Sequence, residues 1–310
     1  MSIHPGVVGI DISKFHLDLF DPRVGRPERI DNTAEAAAAL AGRLAAAGDR
    51  AVMEATGSYD RALREALRTA GVGFSRVNPG QARAFARAAG FLAKTDAVDA
   101  RMLALMGQAL ELRPDAAPEA ERERLGRLHR RRDQLVAMRA QERNRRKEWA
   151  DEEIAASIDE HIAWLARQIA ELDGQIRRLI RSSPMLSPLE QLLRSIPGVG
   201  PVAAVSAIAL VPELGRRSPK TIAALVGLAP YNADSGARRG QRSIRGGRKR
   251  VRDAFYMAAV AASRSDGRFG RFYAALRQAG KPPKVAFIAL ARKLLVTANA
   301  LVRDQLVFQP

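Results

Sequence analysis

Four carboxylates stand where a phosphoryl-transfer site would need them. Asp11 closes one short apolar run, Glu54 closes another, and Asp96 and Asp99 follow three residues apart. On a helix continuing through Met102 and Leu105, positions i and i+3 share a face. Gathering four negative charges is costly unless cations neutralise them, and hard oxygen ligands suit Mg2+ or Mn2+. Two such ions can activate one oxygen and stabilise another in an in-line displacement at phosphorus. Each residue alone has a plainer explanation: an Asp after a strand is commonly a turn former, and Asp96 after Thr95 suits a helix start, where the dipole favours an acid.

A second group is basic. Between Arg238 and Arg252 lie Arg238, Arg239, Arg242, Arg245, Arg248, Lys249, Arg250 and Arg252, interleaved with Gly240, Gly246 and Gly247, which permit close backbone approach to phosphates. The charge of the whole chain points the same way. Lys and Arg total 51 against 33 Asp and Glu, a formal net charge of +18. Residues 1–110 carry an excess of +2, 111–187 of +1 and 188–310 of +15, so nearly all of the anion-attracting field belongs to the last third. Arg outnumbers Lys 43 to 8, which suits bidentate phosphate contacts and equally suits the codon bias of a GC-rich genome. The absence of cysteine excludes disulfides, thiolate zinc sites and Cys nucleophiles, and the four His residues are too scattered for a zinc cluster.

Three segments must position these groups. In 1–110, Val7 to Ile12 is a strand-type run, Phe15, Leu17 and Leu19 alternate, Ala34 to Ala47 is helical, Ala51 to Ala55 is a strand, Arg61 to Ala70 a helix and Gly73 to Val77 a strand. Meandering strands followed by alternation with helices predict an α/β, ribonuclease-H-like sheet; a doubly wound sheet would read similarly. In 111–187, Ile154, Ile158, Ile162, Leu165, Ile169, Leu172, Ile176 and Leu179 form a helical seam of coiled-coil type. Leu125, Leu128, Leu135 and Met138 make a thinner stripe upstream, so an antiparallel hairpin turning near Ala150 to Asp151 is expected, or pairing between protomers. In 188–310 the segment is mainly α-helical. Its opening, Ile196-Pro197-Gly198-Val199-Gly200-Pro201 between two apolar helices, resembles a helix-hairpin-helix whose amides at Gly198 and Gly200 would hold a phosphate backbone; an ordinary helix-helix turn is the plainer reading. Phe255 to Ala262 and Val285 to Val302 read as further helices. With 47% hydrophobic residues, no signal-peptide layout and no run of 18 apolar residues, the expectation is a folded, soluble, cytoplasmic protein without a membrane partner.

The wording of the acidic segments is distinctive. Gly9-Ile10-Asp11-Ile12-Ser13-Lys14, Glu54-Ala55-Thr56-Gly57-Ser58-Tyr59 and Lys94-Thr95-Asp96-Ala97-Val98-Asp99-Ala100-Arg101 resemble the three acidic motifs of the DEDD insertion-sequence transposases. Those enzymes have a RuvC-like domain and are recombinases guided by a bridge RNA. Gly227-Leu228-Ala229-Pro230-Tyr231-Asn232, Asp234-Ser235-Gly236 and Arg245-Gly246-Gly247-Arg248 resemble that family's second domain, and the likeness runs from Val7 to about Arg303. It implies a RuvC-like DEDD domain at 1–110, a coiled coil at 111–187, and a C-terminal transposase domain at 188–310 whose serine joins covalently to DNA in a site composed by both domains. That serine maps to Ser235, with Ser243 the competitor in the same run. Read by itself, Asp234-Ser235-Gly236 is turn chemistry.

A serine nucleophile needs activation, and His4, His16, His129 and His161 all lie far away in sequence. A metal held by the carboxylates would lower the hydroxyl's pKa, with Arg238, Arg239, Arg242 or Arg248 stabilising charge at phosphorus. The resemblance therefore implies an RNA-guided DNA recombinase acting on donor and target duplexes, as a dimer or tetramer. Two other readings stay open. A metal-dependent, structure-selective nuclease similar to a Holliday-junction resolvase would use water and not Ser235; an architectural nucleic-acid binder would not need Asp11.

Overall fold

The computed structural model describes residues 6–55, 59–91, 96–114, 120–232 and 242–309, and the chain divides into two compact units, 1–117 and 118–310. In the first, β1 (Val7–Ile12), β2 (His16–Phe20) and β3 (Pro27–Asp31) form an antiparallel meander. There follow α1 (Ala34–Ala47), β4 (Arg50–Glu54), α2 (Arg61–Thr69), β5 (Phe74–Val77), α3 (Pro79–Ala88) and α4 (Asp96–Ala109). Among the described residues these strands make one sheet in the order β3-β2-β1-β4-β5, with β4 parallel to β1 and β5 parallel to β4. This mixed sheet is consistent with the ribonuclease-H-like arrangement expected from the sequence. The apolar pattern did not mark β3, because it is an edge strand with mostly exposed residues and no alternation to read.

Side-chain alternation gives the sheet two covered faces. Val8, Ile10 and Ile12 of β1, with Leu17 and Leu19 of β2, pack on Leu40 and Leu44 of α1 and Leu63 and Leu67 of α2. Val7 and Val52 face the other way and pack on Met102, Leu103 and Met106 of α4. On that face α4 lies directly against β1. A Cβ at Gly9 would fall 2.0 Å from the Ala100 carbonyl oxygen and 2.5 Å from the Ala104 nitrogen, so glycine here is imposed by helix-on-strand approach.

The second unit contains α5 (Ala120–Arg145), α6 (Glu152–Ser182), α7 (Leu186–Arg194), α8 (Pro201–Leu210), α9 (Pro219–Val226), the short strands β6 (Pro230–Tyr231) and β7 (Ser243–Ile244), α10 (Lys249–Ala262), α11 (Arg268–Gln278) and α12 (Pro283–Asp304). The side chain of Asp151 accepts from the backbone N–H groups of Glu153 and Ile154 and so starts α6. α5 and α6 run antiparallel: Arg146 meets Asp159 at 2.9 Å, Arg132 meets Asp173 at 2.6 Å, and Leu135 is buried with Leu165 and Ile169. Leu125 of α5 and Ile176, Leu179 and Ile180 of α6 enter the core built by α7 to α12. Where the sequence suggested boundaries at 110 and 187, the packing divides the chain at 117 and joins this helix pair to the C-terminal helices. By length and composition α12 is the one helix among the described residues that could cross a membrane; here its face of Leu290, Leu294, Leu295, Ala298 and Val302 lines the protein core.

Candidate active site

The parallel register of β1 and β4 pairs Val7 with Arg50 and runs to Ile10 with Met53. The next step sets Asp11 beside Glu54, each at a strand's C-terminal side. Parity places Asp11 on the face of Val7, and Glu54 on the face of Val52, the side covered by α4. Asp96 and Asp99 occupy the first turn of α4, and Asp99 immediately precedes Ala100, the residue seated on Gly9. The close packing of α4 on β1 therefore brings two helical aspartates to the strand-end carboxylates.

The electrostatics of Asp11 report this gathering. Its carboxyl is pushed up to about 6, first by burial and next by the charge of Asp99, with smaller contributions from Asp96 and Glu54; a hydrogen bond from the Ile12 backbone opposes them. Asp99, Asp96 and Glu54 thus all act on Asp11.

Sequence reasoning missed two residues of this cluster. Asp18 lies opposite Asp11 in the β1–β2 register, and Arg29 lies opposite Asp18 in the β2–β3 register. The Arg29 guanidinium donates to both Asp18 carboxylate oxygens, at 2.9 and 3.0 Å, and from Nη2 to Asp96 Oδ2 at 2.8 Å. Asp18 is buried. Its place between Leu17 and Leu19 reads as the solvent side of an alternating strand, and only the second cover of the sheet by α4 makes it interior. Arg29 thus ties the start of α4 to the sheet by a fork that Lys could not reproduce.

The donor set suits a hard divalent cation: it is all oxygen, mutually repelling, and leaves Asp11 poorly compensated. Asp11, Glu54, Asp96 and Asp99 would hold such an ion. Among the described residues, no group of three or more His, Cys, Asp or Glu side chains is drawn close enough to hold one as they stand.

The basic candidates fall into distinct roles. Asp234, Ser235, Gly236, Arg238 and Arg239 lie outside the described residues. Ser243, the alternative serine, is an exposed residue of β7 opposite Tyr231. Arg242, Arg245 and Arg250 are exposed, with the Arg245 guanidinium 5.2 Å from the centroid of the Tyr231 ring. Arg248 instead forms a bidentate pair with Glu213 at 2.5 and 2.6 Å. Burial alone would raise the Glu213 pKa, and the Arg248 hydrogen bonds hold it below the usual value. Lys249 pairs with Asp253 at 2.6 Å, and Arg252 donates to the Gly246 carbonyl. The turn between α7 and α8 divides its two glycines. A Cβ on Gly198, at φ +88°, would lie 2.6 Å from the Ala258 carbonyl oxygen and from Ala262 Cβ, so packing on α10 accounts for that glycine. Gly200 precedes α8 with nothing near its Cβ position.

Residues 8–152 match a family model described as a transposase of the DEDD, IS110 type, and residues 190–274 match the model of the IS116/IS110/IS902 transposase family. Over 264 residues, 83% of this chain and 81% of the relative, the sequence is 33% identical to the pilin gene-inverting protein of Moraxella lacunata. The same figures hold for the pilin gene-inverting protein of Moraxella bovis. It is 34% identical over 152 residues, 47% of this chain and 38% of the other, to a 44.8 kDa protein of insertion element IS116 from Streptomyces clavuligerus.

Proposed function

The chain belongs to the IS110/IS116 family of transposases and is a DNA recombinase, and from that premise we propose that it cuts and rejoins DNA through a covalent serine intermediate under the guidance of a structured RNA. The observation that supports the catalytic half of this reading is the Asp11 carboxyl, pushed up to about 6 first by burial and then by the charges of Asp99, Asp96 and Glu54. When bound to these acids, Mg2+ or Mn2+ would neutralise charge on phosphate oxygens and lower the pKa of a coordinated hydroxyl.

The nucleophile in this proposal is the Ser235 hydroxyl, supported by the likeness of Asp234-Ser235-Gly236 to the family's serine motif. Its attack forms a serine–phosphate ester and breaks the bond from phosphorus to one sugar oxygen. The proton lost by the serine balances the one gained by the departing sugar hydroxyl. A sugar hydroxyl of the partner strand then displaces the serine, so the ester is conserved without an external energy source. Exposed Arg242, Arg245 and Arg250 supply phosphate contacts, joined by Arg238 and Arg239. The amide of Gly200 at the start of α8 offers one more. Base pairing by a bridge-type RNA provides sequence choice, and the work on donor and target duplexes in the bacterial cytoplasm calls for a dimer or tetramer. The α5–α6 pair is the proposed oligomer contact, since Met138, Trp149, Ile154 and Trp164 on and beside these helices are exposed.

The test is a cutting assay with Mg2+, RNA from the flanking element and labelled DNA. The expected result is an RNA-dependent protein–DNA adduct that survives denaturation and disappears in Ser235→Ala. The second reading, a hydrolytic nuclease similar to a Holliday-junction resolvase, draws on the place of all four acids within the first unit. Cutting that persists in Ser235→Ala with no adduct would establish it in place of the serine mechanism.

A further inference from the structure

Just beyond the carboxylates, at the ends of the same two strands, aromatic rings and cations collect without an assigned task. Phe15, in the turn between β1 and β2, is 65% exposed, and Tyr59, ahead of α2, is 48% exposed. A single exposed ring is ordinary. These two sit on segments that one side chain ties together: Asn32 Nδ2 donates to the Ser13 carbonyl at 2.8 Å and to the Tyr59 carbonyl at 3.0 Å. The Asn32 backbone N–H also donates to the Phe15 carbonyl at 2.8 Å. The backbones bearing the rings are therefore fixed before any ligand arrives, and the ordering cost of binding is correspondingly low.

The chemistry around them favours a nucleotide. The Lys14 ammonium lies 4.9 Å from the centroid of the Phe15 ring. Lys14, Asn32, Tyr59 and Arg61 line an open groove of about 750 Å3, walled by small side chains of α1 and α2 such as Ala38, Ala62 and Ala66. Two cations against one acid, Glu65, leave its lining positive. A flat base can stack on an exposed ring whatever its identity, while neighbouring cations take the phosphate. Lys14 follows Asp11 by three positions and Tyr59 follows Glu54 by five, at most about 10 and 17 Å of extended chain. The groove opens on the α1–α2 side of the sheet, opposite the α4-covered face of Asp11 and Glu54, so a strand held here meets the carboxylates by passing the C-terminal edge that β1 and β4 share.

We propose that Tyr59, Lys14 and Arg61, with Phe15 beside Lys14, form a subsite that holds an unpaired nucleotide at the C-terminal edge of the sheet on the side of α1 and α2, while the strand continues round that edge to Asp11 and Glu54. The proposal rests on the reading of this sheet as a DNA-cutting site, and it adds that the strand is locally unpaired when cut. It explains why two aromatic rings stand in water at the ends of the strands that carry Asp11 and Glu54.

The test uses the full chain, without divalent ions, and single-stranded oligonucleotides carrying 2-aminopurine, as DNA and as RNA of the same sequence, together with a duplex control. The wild-type protein is expected to quench the probe by stacking. Phe15→Leu and Tyr59→Ala together should abolish the quenching and weaken single-strand affinity about tenfold or more, with duplex affinity unchanged. Phe15→Trp should restore quenching, which separates loss of the ring from loss of the fold. Stronger quenching of one strand type identifies the unpaired strand as DNA or RNA. Unaltered quenching and affinity in the Phe15→Leu, Tyr59→Ala protein would overturn the subsite. A shift of that protein from oligomer to monomer with no change in nucleic-acid binding would also overturn it, by assigning the rings to a second copy of the chain. Neither result touches the carboxylate reading, which fails separately if Asp11→Asn still cuts DNA.

Discussion

At the scale of single residues, Asp11 is the most informative. Its carboxyl is pushed up to about 6 in the folded chain, against a reference value of 3.8, first by burial and then by the charge of Asp99. Between these values the folded state holds a proton that the unfolded state has lost, so ionised Asp11 costs stability at neutral pH and the cost fades as pH falls through 6. The full difference corresponds to about 3 kcal/mol, reduced to about 1 to 2 kcal/mol by solvent screening at a half-buried group. Asp11→Asn is therefore expected to stabilise the metal-free protein at pH 7.5 by about that amount, to lose the advantage near pH 4, and to abolish cutting. Denaturant titrations at the two pH values check this, and a destabilised Asp11→Asn at pH 7.5 would contradict it. The acids at 11, 54, 96 and 99 were singled out by the likeness of their segments to the family's acidic motifs, since each alone reads as turn or helix-start chemistry. Asp18 and Arg29 were not, because a polar residue in an alternating strand signals solvent unless a second layer is known to cover that face.

At the scale of elements, the site depends on how closely α4 approaches β1. The atoms a Cβ at Gly9 would meet are backbone atoms of Ala100 and Ala104, which cannot rotate aside as a side chain can. Gly9→Ala should therefore displace the helix that carries Asp96 and Asp99, at a cost of about 3 kcal/mol or more, with loss of cutting. Gly174→Ala in α6 is the contrast. The nearest atoms to its Cβ position belong to the flexible ends of Arg178 and Arg177, the closest at 3.5 Å, so the change should be neutral or stabilising by up to about 1 kcal/mol. Denaturant midpoints of the two variants measure the difference, and a Gly9→Ala protein as stable and active as wild type would refute the packing argument. Helix α1 was readable in the sequence from its alanine and leucine content, and its ends coincide with the Thr33 cap and with Gly48 in a left-handed conformation. The approach of α4 to β1 was not, since one glycine in a strand has many local explanations.

At the scale of the whole molecule, the excess of +15 in residues 188–310 predicts nucleic-acid binding that weakens steeply with salt. Each exposed arginine that contacts a phosphate should lower the slope of log affinity against log salt by about one when replaced. Arg242→Ala, Arg245→Ala and Arg250→Ala are expected to do so with little effect on stability. Arg248→Ala should instead chiefly destabilise the C-terminal unit, because it strands the partly buried Glu213 carboxylate. Salt titrations of binding, paired with thermal melts, separate the two groups, and a slope changed most by Arg248→Ala would reverse the assignment.

The amino-acid sequence by itself supplied the acidic segments with their family likeness, the lack of cysteine, the location of positive charge, and the periods that build an α/β start and a helical remainder. These are properties of residue type and spacing, and they survive without knowledge of contacts. The tertiary structure alone decided which groups share a field and which are already committed. It joined Asp18 and Arg29 to the acids, paired Arg248 with Glu213, gave Gly198 to the packing of α10, and set Phe15 and Tyr59 on segments tied by Asn32. The reason is that charge–charge energy, burial and steric approach depend on distances between residues remote in sequence, and folding alone brings those residues together.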